Sequence, residues 1–297
     1  MQQRANDDFP HVPFERFESY SERFKDFFTM KREDGIIEVR MHSDGGVAMW
    51  DYGHHNGWGK VFKAIGQDPE NEVLVLGGTG DQWIGPVDLS YAMYMLDGMF
   101  ENRTEYARAT YDHQYLDGSD LIFPLLYDIH IPTIACINGP TAGHTEFALM
   151  CDVTLAAPDA DFFEGHFCTL GTPSGDGLFL VFQEAFGTKK AGHMVMLGQR
   201  YSAQDALACG AVAEVIERDK LFDRAWEIAR KLMSFDRYGR RLQHEIMIQR
   251  WRRVVNADFN MHFMSEEWGQ LLCDTEKLKN ATSKITSFDT LAEDSKI

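Results

Sequence analysis

Basic side chains are what this sequence is short of. Its 297 residues carry 29 Lys and Arg against 46 Asp and Glu, a net charge of −17. A phosphate-binding surface needs a basic stripe, so the balance argues against nucleic acid and against an anionic membrane surface as partners. Cysteine is also scarce. The five, Cys136, Cys151, Cys168, Cys209 and Cys273, are scattered, and no CxxC pair is present to make a zinc ribbon or a dithiol redox site. Their mostly apolar settings suit buried, reduced thiols and a reducing compartment, hence a cytoplasmic protein. No run approaches the ~20 apolar residues of a membrane span. The opening MQQRANDDFPHVPFERFE has no apolar core, so no signal peptide is expected. There is no internal repeat, no Gly/Ser linker and no Pro-rich stretch. GGTGD lacks the lysine of a phosphate-binding loop and reads as a turn. The adjacent His54 and His55 do not have the spacing of two ligands on one face, so no metal is expected.

What is present is an ordinary core. With 44% hydrophobic and 12% aromatic residues, the chain is too apolar and aromatic for disorder. A small uncharged substrate or a protein partner fits the charge better. Phe14, Phe17, Tyr20, Phe24, Phe27 and Phe28 recur at steps of three and four and predict an amphipathic helix over 13–28. Short strands are expected at Ile36–Met41 and Gly46–Trp50, joined by the turn HSDGG, then a helix around Asn56–Ile65. EVLVLGGTG (72–80) reads as a buried strand, 88–128 as a long helical stretch, IPTIACING (131–139) as a strand, GHTEFALM (143–150) as a helix and DVTLAAP (152–158) as a strand. This βαβ rhythm implies α/β architecture with a parallel sheet and right-handed crossovers. Ser202 and Asp205 resemble a capping pair opening a helix that Gly210 could end, before a last strand AVAEVI (211–216). Beyond 219 the chain reads as helical. The expected organisation is a helical arm over 1–34, a core over 35–218 and a C-terminal helical region over 219–297.

IPTIACINGPTAGHTEFALMCDVTLAAPDADF (131–162), GTPSGDG (171–177) and LGQRYSAQDALACGAVAEVI (197–216) resemble, in order and spacing, segments of the crotonase (enoyl-CoA hydratase/isomerase) superfamily. The resemblance covers about 35–280. It implies a spiral of ββα units and assembly as a homotrimer or a dimer of trimers, with 219–297 the trimerisation region. The departures are informative. CoA-using members carry three glycines where this chain has Ala142, Gly143 and His144. Of two glutamates used by many hydratases, one falls on Glu146, while the other would fall near His166 or Phe167 and is missing. The stretch expected as A-G-x-D is DQWIGPVD (81–88), in which Trp83, Ile84 and Pro86 disrupt the backbone pocket for the adenine end.

These departures resemble the β-diketone hydrolase branch, which includes 6-oxocamphor hydrolase. Its members cleave a C–C bond of a 1,3-diketone by a retro-Claisen reaction without CoA or metal. The resemblance assigns the branch tryptophan to Trp50, its histidine five positions later to His55, the oxyanion-loop histidine to His144, the GDG aspartate to Asp176 and a C-terminal helix glutamate to Glu266. The remaining branch histidine lies nine residues before its aspartate, whereas His166 lies ten before Asp176. Either a one-residue loop shift restores that pair or it is altered.

Retro-Claisen hydrolysis needs a base for water, donors for the oxyanion and an acid for the enolate. His166 with Asp176 suits the first, because a carboxylate on one ring nitrogen leaves the other for water. His144, at the start of a helix where the dipole favours a neutral ring, suits the second, with Trp50 adding an indole donor and an apolar wall. Glu266 would orient a histidine or help deliver the enolate proton. Tyr91, Tyr94, Phe100 and Tyr106 could line an apolar pocket or serve as core. The expected function is therefore a cofactor-independent β-diketone hydrolase yielding a keto acid. A CoA-thioester enzyme using Glu146, or a non-catalytic scaffold, are the alternatives.

Overall fold

A computed structural model describes residues 13–92, 102–109, 111, 116–274, 276–277 and 280–281. Its centre is a six-stranded sheet in the order β1-β2-β3-β4-β5-β8. The strands are β1 (Phe28–Glu33), β2 (Ile36–Met41), β3 (Val73–Gly78), β4 (Thr133–Ile137), β5 (Val153–Ala156) and β8 (Glu214–Val215). β1 and β2 pair antiparallel; every later pair is parallel. A small antiparallel pair, β6 (Asp161–Phe162) and β7 (Tyr201–Ser202), stands apart.

The sheet is covered on both faces, which is why VLVLGG and TIACI read as continuous apolar runs rather than alternating ones. Val73, Val75, Ile134, Cys136 and Leu155 pack on Leu221, Ala225 and Ala229 of the helix Arg218–Met233. Leu74, Leu76, Ala135, Ile137 and Ala156 face the opposite way. They join the helix Tyr52–Gln67, with Trp58, Val61 and Phe62, and the helix Leu178–Phe186, with Val181 and Phe182. A long helix, Gln249–Leu272, closes that side through Val255, Phe259 and Phe263.

Several expectations change. The first helix is only Phe17–Arg23, and β1 begins at Phe28, so the end of the expected arm is an edge strand. The hairpin partner of Ile36–Met41 is therefore β1. The turn is Asp34-Gly35, both at positive φ (50° and 84°), as a tight primed turn requires. Gly46–Trp50 forms no ladder; Trp50 makes one isolated parallel bridge to Val87. Within 88–128 the described residues include the helices Arg103–Ala109 and Leu116–Tyr127. GHTEFALM contributes only Glu146–Leu149 as helix. The Ser202–Asp205 capping box and the Gly210 stop are present. Cys136 and Cys151 are buried, but Cys168 and Cys209 are exposed, because they sit on an outer turn and a helix end. Among the described residues no helix is long and apolar enough to cross a membrane.

Candidate active site

Four segments converge beyond the carboxyl ends of the parallel strands. The first carries Trp50, His54 and His55. Asp51 caps the helix Tyr52–Gln67, its Oδ1 accepting from the His54 backbone N–H (2.9 Å) and lying 2.8 Å from His54 Nδ1. His54 Nε2 lies 3.0 Å from the His42 carbonyl, so both its ring nitrogens are taken up in the core. The neighbouring His55 is turned the other way. Its Nδ1 is buried without a hydrogen-bond partner among the described residues. Burial, and then the nearby charge of His144, push its pKa down to about 4, against the pull of Asp176. His55 is thus the neutral imidazole of the group.

The second segment is the loop after β4. His144 stands in the left-handed region at φ 53°, held there partly by Trp83, whose indole N–H donates to the His144 carbonyl at 2.8 Å. The ring lies against Trp50, centroids 3.9 Å apart and planes 26° from parallel. His144 Nδ1 meets Glu146 Oε1 at 2.8 Å. Burial opposes a charge on this ring, but the charge and hydrogen bond of Glu146 outweigh it and raise the pKa. The helix that follows is a single turn, Glu146–Leu149, and the carboxylate two residues on, rather than the helix start, is the group that meets this ring. Glu146 is nearly fully buried; its Oε1 meets His144, and its Oε2 has no hydrogen-bond partner among the described residues. The Ala142 and Gly143 amides already donate, to the Ile84 carbonyl (2.9 Å) and the Thr141 hydroxyl (3.0 Å).

The third segment runs from β6 through a π-helical turn, His166–Leu170, into the glycine loop with Asp176. A π turn accommodates one more residue than an α turn and recurs at functional sites. Here it accompanies the ten-residue spacing noted above. His166 is half-buried and faces inward, while Phe167 points out. His166 Nε2 lies 4.0 Å from Asp176 Oδ2 and 3.6 Å from Glu266 Oε1. Its Nδ1 is hydrogen-bonded to Glu164, a partner the sequence reading missed. Burial works against a charged ring, but Glu266, Glu164 and Asp176 together hold the His166 pKa well above the ordinary imidazole range.

The fourth segment is the C-terminal helix. Glu266 is buried; its Oε2 accepts from the Gly175 N–H at 2.8 Å and its Oε1 from the Gln270 amide at 3.2 Å. Tyr106 in turn hydrogen-bonds Gln270. Burial and the charge of Asp176 push Glu266 up to about 7, although His166 pulls the other way. Tyr106 therefore supports the cluster through Gln270. Tyr91 lies beside Tyr52, and Tyr94 and Phe100 fall outside the described residues. One side-chain nitrogen or oxygen atom each of His166, Asp176 and Glu266 lie within 4.8 Å of one another, a compact triad of titratable groups.

The sequence profile of the enoyl-CoA hydratase/isomerase family matches residues 31–262. The chain belongs to this family. A probable enoyl-CoA hydratase of Mycobacterium bovis is 27% identical over 213 residues, 71% of this chain and 72% of its own length. The hydroxycinnamoyl-CoA hydratase-lyase of Pseudomonas fluorescens is 28% identical over 59% of this chain and 60% of its own. Among solved structures, a β-diketone hydrolase of the cyanobacterium Anabaena sp., bound to (S)-3-oxocyclohexyl acetic acid, superposes with a TM-score of 0.77 at 27% identity, covering 85% of this chain and 96% of that one. An enoyl-CoA hydratase/isomerase of Mycobacterium paratuberculosis superposes at 0.74 with 18% identity and shares the fold. The chain is thus a crotonase-superfamily protein with structural neighbours of both chemistries.

Proposed function

We propose that this protein hydrolyses the C–C bond of a cyclic or bulky 1,3-diketone by a retro-Claisen reaction that requires no cofactor. One observation carries the reading: His166 Nε2 faces Asp176 and Glu266 at 4.0 and 3.6 Å, while His144, on the loop after β4, lies against Trp50 and meets Glu146. Such a group serves proton transfer and oxyanion binding at neighbouring points, which is what a diketone with two carbonyls requires. The likeness to the Anabaena β-diketone hydrolase supports the same substrate class.

In this reading the His144 ring, backed by Glu146 and flanked by Trp50, binds the carbonyl under attack and its developing oxyanion. The water proton passes to a carboxylate of the Asp176–Glu266 pair, and the hydroxide oxygen bonds to the carbonyl carbon. The C–C bond then breaks, its electron pair going into the enolate of the second carbonyl. His166 donates its Nε2 proton to the enolate carbon and recovers a proton from the carboxylate. This revises the sequence expectation of His166 as the base. A ring held protonated by three carboxylates suits the acid, and a carboxylate near pKa 7 suits the base at neutral pH.

The names of the curated relatives favour a second reading, a CoA-thioester enzyme. Against it stand the contact of Glu146 Oε1 with His144 and the engagement of two loop amides by internal acceptors. Trp83 and Ile84, which stand in the sequence where the resemblance expects the small residues of an adenine pocket, are both buried. The deciding experiment offers the purified protein 6-oxocamphor and 2,2-disubstituted cyclohexane-1,3-diones, and crotonyl-CoA in parallel. Loss of a diketone with release of one keto acid per turnover is expected. Hydration of the thioester with no diketone consumed would overturn the proposal.

A further inference from the structure

We propose that Glu164 is the positioning residue of His166, fixing its ring through Nδ1 so that Nε2 is the nitrogen presented to Asp176, Glu266 and substrate. Only the kinetic arm of the test below rests on the diketone reading.

Glu164 follows β6 and its side chain is fully buried. One oxygen, Oε1, accepts twice from the same residue: from the His166 backbone N–H at 2.9 Å and from ring Nδ1. Backbone and ring are thereby held by a single atom, and the π turn starts where the imidazole is oriented. Of the three carboxylates around the ring, Glu164 alone makes direct hydrogen-bond contact; Asp176 and Glu266 stand 4.0 and 3.6 Å from Nε2. The charge-relay position belongs to Glu164, and Asp176 is left facing the reaction. A turn could be capped by an amide or a hydroxyl without burying a charge. Here a carboxylate is buried instead, with Oε2 lacking a hydrogen-bond partner among the described residues, a costly arrangement unless its charge is used.

The charged groups facing His166 come from every side. Glu164 lies on its own turn, Asp176 on the glycine loop, Glu266 on the C-terminal helix and His144 on the loop after β4. On the helix Thr188–Leu197, packed on the turn, Lys190 and His193 meet Tyr201, and Lys189 is exposed.

The test is nitrogen-resolved NMR of histidine-labelled protein, with the His166 signal assigned by its loss in His166→Gln. In the wild-type chain the ring hydrogen must remain on Nδ1 when His166 is titrated to neutrality. In Glu164→Gln the midpoint should fall by about one pH unit or more, and Glu164→Asp should restore part of it. With a diketone substrate, Glu164→Gln should lower kcat at least tenfold while KM moves less than threefold. A wild-type Nε2–H tautomer, or a Glu164→Gln midpoint unchanged within a few tenths of a unit, overturns the assignment. The tautomer and midpoint are read without substrate. If no diketone is consumed, the proposed function fails while Glu164 is still judged on the spectra.

Discussion

A histidine at φ 53° in a strand-to-helix loop is held in a conformation that most side chains avoid. Trp83 holding its carbonyl, Trp50 on its face and Glu146 on Nδ1 over-determine that geometry. In the proposed reaction a ring so fixed is a preorganised oxyanion donor. His144→Asn keeps tolerance for the left-handed backbone and a donor toward Glu146 but removes the ring. It should cost about 10²–10³-fold in kcat, measured on whichever diketone the protein consumes; turnover within threefold of wild type would remove His144 from the mechanism. Glu266 makes a different prediction. Held to about 7, it is protonated and inactive as a base on the acid side, so kcat should rise with pH through about 7. Because His166 must stay protonated, kcat should fall again at higher pH, above the ordinary imidazole range. Glu266→Gln should abolish or displace the acid limb and move the alkaline limb to lower pH, because Glu266 also helps hold the His166 proton, and a pH–rate profile of both proteins decides it.

At the scale of elements, the site depends on how closely the glycine loop approaches the C-terminal helix. A Cβ on Gly175 would stand 2.2 Å from the His262 carbonyl oxygen and 2.6 Å from Glu266 Cβ. Gly175→Ala must therefore push loop and helix apart, break the Gly175 N–H bond to Glu266 and move Asp176. The expected outcome is a loss of activity of at least tenfold together with a lower melting temperature; an unchanged melting temperature would contradict the contact. Such long-range contacts are what the sequence displays least. The buried parallel strands were legible because both faces need apolar residues, and the capping box was legible because its donors and acceptors are local. The hairpin was misread. The aromatic spacing of Phe24, Phe27 and Phe28 imitates a helix, while Asp34-Gly35 carried the stronger turn signal. At the site, the resemblance supplied Trp50, His144, Asp176 and Glu266 as a group, and the structure brings these side chains together. Which of His54 and His55 faces inward is set by the Asp51 cap, and Glu164 was passed over. Its one visible signal was a charge two residues from a candidate histidine inside the apolar run DFFEGHF.

For the whole molecule, the acidic balance and the buried imidazoles act in the same direction. A net charge of −17 disfavours the compact state increasingly as any remaining cations are lost. His166 and His144 are both held above the ordinary imidazole value of about 6.5. From that pH up to their native values, the folded chain keeps protons that the unfolded chain has released. Stability from these groups is thus complete below about 6.5 and is lost as pH rises through the native pKa values. Glu266, held to about 7, acts in the same sense over lower pH, from the ordinary carboxylate range up to its native value. His55 and His262, both pushed down by burial, act oppositely, but their effect is complete by about pH 6.5. The melting temperature should therefore peak near neutrality and fall between pH 7 and pH 9. Each proton retained across one pH unit contributes about 1.4 kcal/mol, on the order of 2–4 °C for a large domain. Differential scanning calorimetry of the wild type and of a His144→Asn/His166→Gln double variant separates the two sources. Net charge alone predicts parallel declines in both proteins. The buried imidazoles predict a clearly shallower decline in the variant, and equal slopes would show that these rings are neutral in the folded chain.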